Sequence, residues 1–572
     1  MLAGPIFARE WLITPRQLKH YLLRAGYVGV LILLMYTAGH ATFGFQQARN
    51  VGDIARFGRF VFSVFAVVQL TVVMSGALLF GASNVAQEKD RRTLILLLMT
   101  DLRRRELVLG KLLAGLLPVA VLIAVSFPVF CFVRMLGGVT LPQVLWLEAL
   151  CIAAAFAAGS WGSLVAFWRD KTFQTLAISV IGAGLFLGVV EAVDALVATG
   201  PLAGVASLLN PYRALGGVLD PLARTDLKVP QLSAWRPVAS LVLLGVGLTS
   251  LTITRLRAWN PSKFVYQQAL KKEAEATRAR HRTVWDQPVA WREICTRAYG
   301  RKVLFIKLAY FVLAGFALWS LYSAPADEAL VLGMISRSGA VFVGLALVAL
   351  LLTNSQSVTA LTTERDGATL ELLLVTEVTP KEFILGKLGG ALYNSAPVLA
   401  VPIILVGLGC WRGELTFENA FYVAISYLVL AAFSAMLGLH SGLAYSSSRA
   451  AIANSLGTVF FLFVGMFICL MLIVEARSSF ALQFPPFLLF ILGGSIGLTA
   501  SLTRKNPAPA LKLAAFLLPG LTFYALTTFL LGGSLGVMLV IVVAYGFTAW
   551  AMYVPAVSEF DLALGRSSGD RE

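Results

Sequence analysis

The sequence predicts an all-α integral membrane protein built as two six-span helical bundles in tandem, with a two-span hairpin after them. Three observations carry this. Hydrophobic residues make up 58% of the 572 residues and charged residues 13%, more apolar surface than a soluble fold can bury but acceptable to a bilayer. Apolar runs of about 20 residues, the length that crosses a hydrocarbon core, recur along the chain. Finally, the charged segment Glu88–Lys111, EKDRRTLILLLMTDLRRRELVLGK, returns without a gap 276 positions later as Glu364–Lys387, ERDGATLELLLVTEVTPKEFILGK.

Hydropathy sets the first six spans near 27–45, 60–83, 109–133, 144–168, 173–195 and 237–254. Basic residues concentrate in alternate connections: Arg9, Arg16, Lys19 and Arg24 before span one, the first charged copy after span two, Arg169 and Lys171 after span four, and Arg255 and Arg257 after span six. The positive-inside rule makes that face cytoplasmic. The second half repeats the plan near 303–322, 338–358, 388–410, 420–445, 450–474 and 486–502. Two further runs, 513–531 and 535–554, read as an added hairpin, for about 14 spans with both termini cytoplasmic. The expected domains are thus 1–255, a basic linker over 256–287, a second half over 288–505 and the hairpin with its tail over 506–572.

Both halves open alike. Pro5-Ile6-Phe7-Ala8-Arg9-Glu10 resembles Pro288-Val289-Ala290-Trp291-Arg292-Glu293, and each motif precedes an amphipathic stretch suited to a helix lying in the membrane interface. An ordinary basic flank is the competing reading. The N-terminus lacks the short apolar core and cleavage site of a secretory signal, so no cleaved peptide is expected. The net charge of +16 follows from topology rather than from nucleic-acid binding, because the basic residues sit in alternate loops.

The second charged copy divides into two short helices about a bend. Acidic groups open the first, where the helix dipole favours them. Thr379-Pro380-Lys381-Glu382 then forms a capping box with proline at the first helical position. The first copy departs from this: Arg103-Arg104-Arg105 replaces Thr379-Pro380-Lys381, which weakens the cap and leaves Asp101 as a substitute N-cap.

At Glu364, Gly367, Thr369, Leu370, Leu373, Thr376, Pro380, Gly386 and Lys387 the second copy resembles the first cytoplasmic loop of ABC-2-type transporter permeases. The resemblance implies two ABC-2-type halves fused in one chain, the transmembrane subunit of an exporter whose ATP is hydrolysed elsewhere. It further implies that each loop carries a coupling helix contacting an ABC ATP-binding subunit, two copies in all. Matching positions give Glu88, Asp90, Arg92, Thr93, Glu106, Glu364, Asp366, Gly367, Thr369 and Glu382 as coupling residues. Thr379, Pro380, Gly110, Lys111, Gly386 and Lys387 have capping or structural roles. Charge reversal at Glu364 is expected to uncouple transport and leave folding intact.

No Gly-x-x-x-x-Gly-Lys-Ser/Thr loop occurs, so this chain binds no cofactor of its own and ATP with its Mg belongs to the partner. No catalytic triad or metal-ligand spacing emerges, and the chain is not expected to be an enzyme. Ionisable residues in spans are functional candidates by default. Here Glu148, Glu191, Asp194 and Glu475 lie toward span ends, which argues against a proton- or sodium-coupled carrier. His440, among small residues, reads as a helix-packing hydrogen bonder. A secondary transporter, or a scaffold that transmits ATPase motion without moving a substrate, remain the rival readings. The expected location is the cell membrane.

Overall fold

A computed structural model describes residues 4–13, 18–43, 50–90, 93–169, 172–196, 204–219, 234–260, 285–295, 303–323, 335–366, 370, 378–475, 480–504 and 508–558. Arg92, Gly367 and Thr369, the bend of the second charged copy and most of the basic linker lie outside these residues. The chain divides into two compact units, the first built on Met1–Arg282 and the second on Thr283–Arg477 with Phe487–Glu572.

The first unit comprises α1 (Gly4–Ile13), α2 (Leu18–Phe43), α3 (Val51–Asp90), α4 (Thr93–Leu98), α5 (Arg104–Met135), α6 (Leu141–Trp168), α7 (Thr172–Leu196), α8 (Val205–Leu209), α9 (Pro211–Leu219) and α10 (Trp235–Trp259). The second comprises α11 (Pro288–Cys295), α12 (Val303–Ser323), α13 (Arg337–Asp366), α14 (Pro380–Trp411), α15 (Phe417–Ala444), α16 (Ser448–Glu475), α17 (Phe480–Leu502), α18 (Pro509–Leu530) and α19 (Ser534–Ser558). Among the described residues, 11 helices are long and apolar enough to cross a membrane. The other three expected spans correspond to shorter apolar stretches, Arg24–Gly39, Leu304–Trp319 and Ile491–Leu502. The protein is an all-α integral membrane protein.

The duplication reaches well beyond the charged segment. The bounds of α5 and α6 recur 276 positions later as those of α14 and α15, and α7 and α16 begin at the same offset, at Thr172 and Ser448. Each unit packs these helices alike: α3 lies along α6, and α13 along α15. Glycine permits the closest crossing in both. A Cβ on Gly162 would stand 2.4 Å from the Leu78 carbonyl oxygen, and one on the equivalent Gly438 would stand 2.7 Å from that of Asn354. Small residues at such crossings let backbones approach closely where lipid offers no hydrophobic drive to associate.

The units differ in how they finish. In the first, α10 lies along α6. In the second, the helix along α15 is α19, although the sequence reading placed the sixth span at 486–502. The helices expected as an added hairpin contribute to the second unit's core: Leu511, Leu518, Tyr545 and Met552 cluster with Leu361, Phe383, Met436 and Leu439. That leaves α17 and α18 as the pair without a counterpart in the first unit. His440, in α15, shares a hydrogen bond of 2.8 Å with the Leu502 carbonyl at the end of α17, the packing role expected of it.

The connection after α7 is organised by the acidic residues at its end. Asp194 accepts from the Gly204 amide at 2.8 Å and pairs with Arg213 at 2.9 Å. Glu191 also pairs with Arg213 and accepts from Asn210 at 2.6 Å. These contacts hold α8 and α9 in place.

Candidate functional site

In each unit the start of the helix after the charged segment is clasped by the end of the helix before it. Lys111, on α5, pairs with Glu88, near the end of α3. The same offset relates Lys387, on α14, to Glu364, near the end of α13, and they meet at 2.6 Å. The second clasp is larger. Lys387 also reaches Glu293 of α11 at 2.5 Å, and Arg292 pairs with both Glu293 and Glu364. Lys387 is 1% exposed and Glu293 2%, so the charges are compensated by geometry and not by solvent. Burial alone would raise the Glu293 carboxyl, but the Lys387 ammonium and the Arg292 guanidinium outweigh it and hold the group below the usual carboxylate range.

This clasp explains the Gly-Lys pairs. A Cβ on Gly386 would lie 2.9 Å from the Val289 side chain and 3.0 Å from the Ala290 amide nitrogen; without one, α11 can rest on α14. Gly390, one turn on, would set a Cβ 2.4 Å from that of Glu293. In the first unit α1 rests on α5 in the same way, with Gly4 at φ +66°, where a Cβ would lie 3.0 Å from that of Glu106. The repeated Arg-Glu motif therefore marks a short helix seated on the span that follows the charged segment.

A second duplicated contact fastens the start of the charged segment to the end of another span. The Lys89 ammonium donates to the carbonyls of Phe167 at 2.6 Å and Arg169 at 2.9 Å, at the end of α6. Arg365, the same offset on, donates to the carbonyls of Gly442 and Tyr445 at the end of α15. A cation there satisfies carbonyls that have no helical partner and matches the negative end of the dipole. Asp366 accepts from Ser448 at the start of α16.

The caps follow the expected asymmetry, with one correction. Thr379 accepts from the Glu382 amide at 3.3 Å while its own amide donates to Glu382 at 3.0 Å. In the first copy the N-cap is Arg103, not Asp101. Its amide donates to Glu106 at 3.1 Å, but a guanidinium has no acceptor to return. Half of the box is present.

Between Glu88 and Arg104 the chain forms α4. Leu94, 2% exposed, plugs it into a cluster of Val85, Leu107, Val108, Phe167 and Leu256. The opposite edge is open: Leu96 is 62% exposed and Met99 77%. Thr93, Thr100, Asp101 and Arg103–Arg105 are also exposed. Thr93 donates to the Glu88 carbonyl at 3.3 Å.

The expected coupling residues thus fall into two groups. Glu88, Glu364 and Asp366 are engaged within their own unit, Glu88 by Lys111, Glu364 by Lys387 and Arg292, and Asp366 by Ser448. Thr93, Glu106 and Glu382 shape the helix starts. The open surface belongs to Leu96 and Met99, which were not among the residues expected from the sequence. Their signal was present in TLILLLM, where a run too short to span has no second apolar face to bury. Charge reversal at Glu364 conflicts with its pairing: it would set a cation beside buried Lys387, so the expectation of intact folding is withdrawn.

Residues 29–258 match the model of the ABC-2 family transporter protein, which reaches from within α2 to the end of α10. No curated protein and no solved structure matches the chain. The matched region contains the first clasp, α4 and the helices from α3 to α9, and the second unit repeats the packing of α3, α5 and α6 about 276 positions on. Residues 29–258 therefore carry a region similar to the ABC-2 family transporter protein, which supports an ABC-2-type permease.

Proposed function

We propose that this chain is the transmembrane subunit of an ATP-driven exporter, with both permease halves in one polypeptide. Two separate ATP-binding subunits dock on the cytoplasmic loops at 88–111 and 364–387, and ATP with its Mg stays on those subunits. The single observation that carries the reading is α4: a short helix anchored by Leu94, braced through Glu88–Lys111, and open along Leu96 and Met99 beside Arg103–Arg105. An exposed apolar strip with a basic margin suits a partner groove with acidic edges. Because Lys89 and Lys111 tie this loop to α5 and to the end of α6, a push on α4 passes into both spans.

The test is purification of the chain from its native membrane in mild detergent, with mass spectrometry of what co-elutes. A stoichiometric subunit bearing a phosphate-binding loop, lost from a Met99→Asp variant, supports the reading. Recovery of the chain alone across several detergents overturns it.

One observation favours a proton-coupled carrier instead. Glu148, within α6, is 7% exposed; it accepts from Gln69 at 3.1 Å, and its other carboxylate oxygen is buried without a hydrogen-bond partner among the described residues. Vesicle transport that follows a pH gradient and ignores ATP would select that alternative.

A further inference from the structure

The first unit contains a cavity of about 310 Å³ at the end remote from its charged segment. Three elements wall it: the start of α3, the turn between α5 and α6, and the end of α9. Glycine sets the first two against each other. A Cβ on Gly58 would lie 2.5 Å from the Gly137 carbonyl oxygen, and one on Gly138, at φ +75°, 2.1 Å from that of Ala55. Gln143 fixes the third wall, donating to the Val218 carbonyl at 3.1 Å and to that of Leu219 at 3.4 Å.

Two cations line this space. Arg56 and Arg59 are both exposed and both border the cavity. Their spacing on α3 puts them on one helix face, with Cβ atoms about 5–6 Å apart. Asp53, one turn earlier, does not border it. Phe60, Phe62 and Val139 supply an apolar side next to the arginines. The rise from Arg59 to Lys89 along α3 is about 45 Å at 1.5 Å per residue, the thickness of a bilayer with both headgroup layers. With Lys89 at one interface, the arginine pair lies among the headgroups of the other leaflet.

Topology does not account for the pair, because the positive-inside rule gathers Lys and Arg on the side of the charged segments. Nor does the duplication require it. At the 276-residue offset, Arg56, Arg59 and Gly138 correspond to Leu332, Ile335 and Glu414. The second unit therefore has apolar residues at both arginine positions, and an acid where the first has glycine. Two guanidinium groups on one face match the oxygens of a phosphate, which they bind through charge-assisted, forked hydrogen bonds.

We infer that the cavity of the first unit binds a phosphate group at headgroup level, gripped by Arg56 and Arg59. The site is independent of whether ATPase subunits drive the chain. Its phosphate has two sources, the headgroup of an anionic phospholipid or a free phosphate from the water. For the first, phosphatidic acid with a diazirine on its acyl chain close to the glycerol is offered to the full chain in phosphatidylcholine nanodiscs. Labelled residues are mapped by mass spectrometry. Phosphatidylcholine bearing the same diazirine is the comparison, since its ammonium offsets the phosphate charge. For the second, binding of radiolabelled inorganic phosphate to nanodiscs without the probe is measured by equilibrium dialysis. Labelling near Phe60 and Val139 by phosphatidic acid, about tenfold above the phosphatidylcholine probe, identifies the lipid. Saturable phosphate binding without that labelling identifies the free anion. Either signal should fall about tenfold when Arg56→Gln is combined with Arg59→Gln. Ser63→Glu, which sets an acid in the same cavity, should lower it as well, so one poorly folded variant leaves the other to report. Arg134→Gln, at an exposed position near the end of α5 that does not border the cavity, should leave it unchanged. Neither signal, equal labelling by the two lipids without phosphate binding, or a signal that persists in both cavity variants overturns the proposal.

Discussion

Lys387 and Glu293 form an ion pair of 2.5 Å with 1% and 2% of their side chains exposed. It fastens a short helix to a membrane span. Breaking a buried pair by removing one partner leaves an uncompensated charge and typically costs about 3–5 kcal/mol. Lys387→Met should therefore lower the unfolding midpoint of the purified chain, with Arg292 keeping the loss near the lower end. Adding Glu293→Gln should recover part of it. A thermal-melt double-mutant cycle reads the coupling, and additive losses would contradict a direct pair.

The clasp also predicts a pH dependence. Glu293 has a folded pKa below its ordinary value of 4.5, so the unfolded state binds more protons as pH falls. Its contribution to stability is complete above that ordinary value and is lost as pH drops through the depressed one. Melting curves of the native chain should fall in acid more steeply than those of Glu293→Gln. Parallel curves would place the acid sensitivity elsewhere.

Leu96→Asp and Met99→Asp should leave the melting curve unchanged, because both side chains face outward, while weakening capture of the ATP-binding subunit at least tenfold, about 1.4 kcal/mol. Arg104→Glu with Arg105→Glu should weaken capture chiefly at low salt, since exposed charges are screened. Unaltered capture by all of these variants would remove α4 from the interface.

Gly162→Ala and Gly438→Ala test the duplicated crossing. Each methyl would meet a carbonyl oxygen of the facing helix, at 2.4 Å and 2.7 Å, and overpacking of this kind costs about 1–3 kcal/mol. Both variants should melt early, the first more so. Gly216→Ala, where a methyl meets nothing within 4 Å, is the control.

Arg103→Thr should complete the first capping box. A good N-cap contributes about 0.5–2 kcal/mol, felt most in the first turn of α5. Hydrogen exchange at the Arg105 and Glu106 amides should slow in the variant. Thr379→Ala should speed exchange at Glu382.

Composition and hydropathy determined the class of this protein, because a bilayer demands long apolar helices and records the demand in every span. The ungapped return of Glu88–Lys111 as Glu364–Lys387 likewise located the repeated element, and Thr379–Glu382 wrote its own cap, since capping is settled within four residues. Contacts between distant residues were decided only by the tertiary structure. Glu88 and Glu364 read as coupling contacts, whereas their partners Lys111 and Lys387 lie at the other end of each segment. Which face of α4 is covered was not legible, because it depends on Leu107, Phe167 and Leu256 arriving from three other helices. The place of α19 along α15 was equally out of reach: hydropathy orders spans along the chain, while packing chooses neighbours by fit across it.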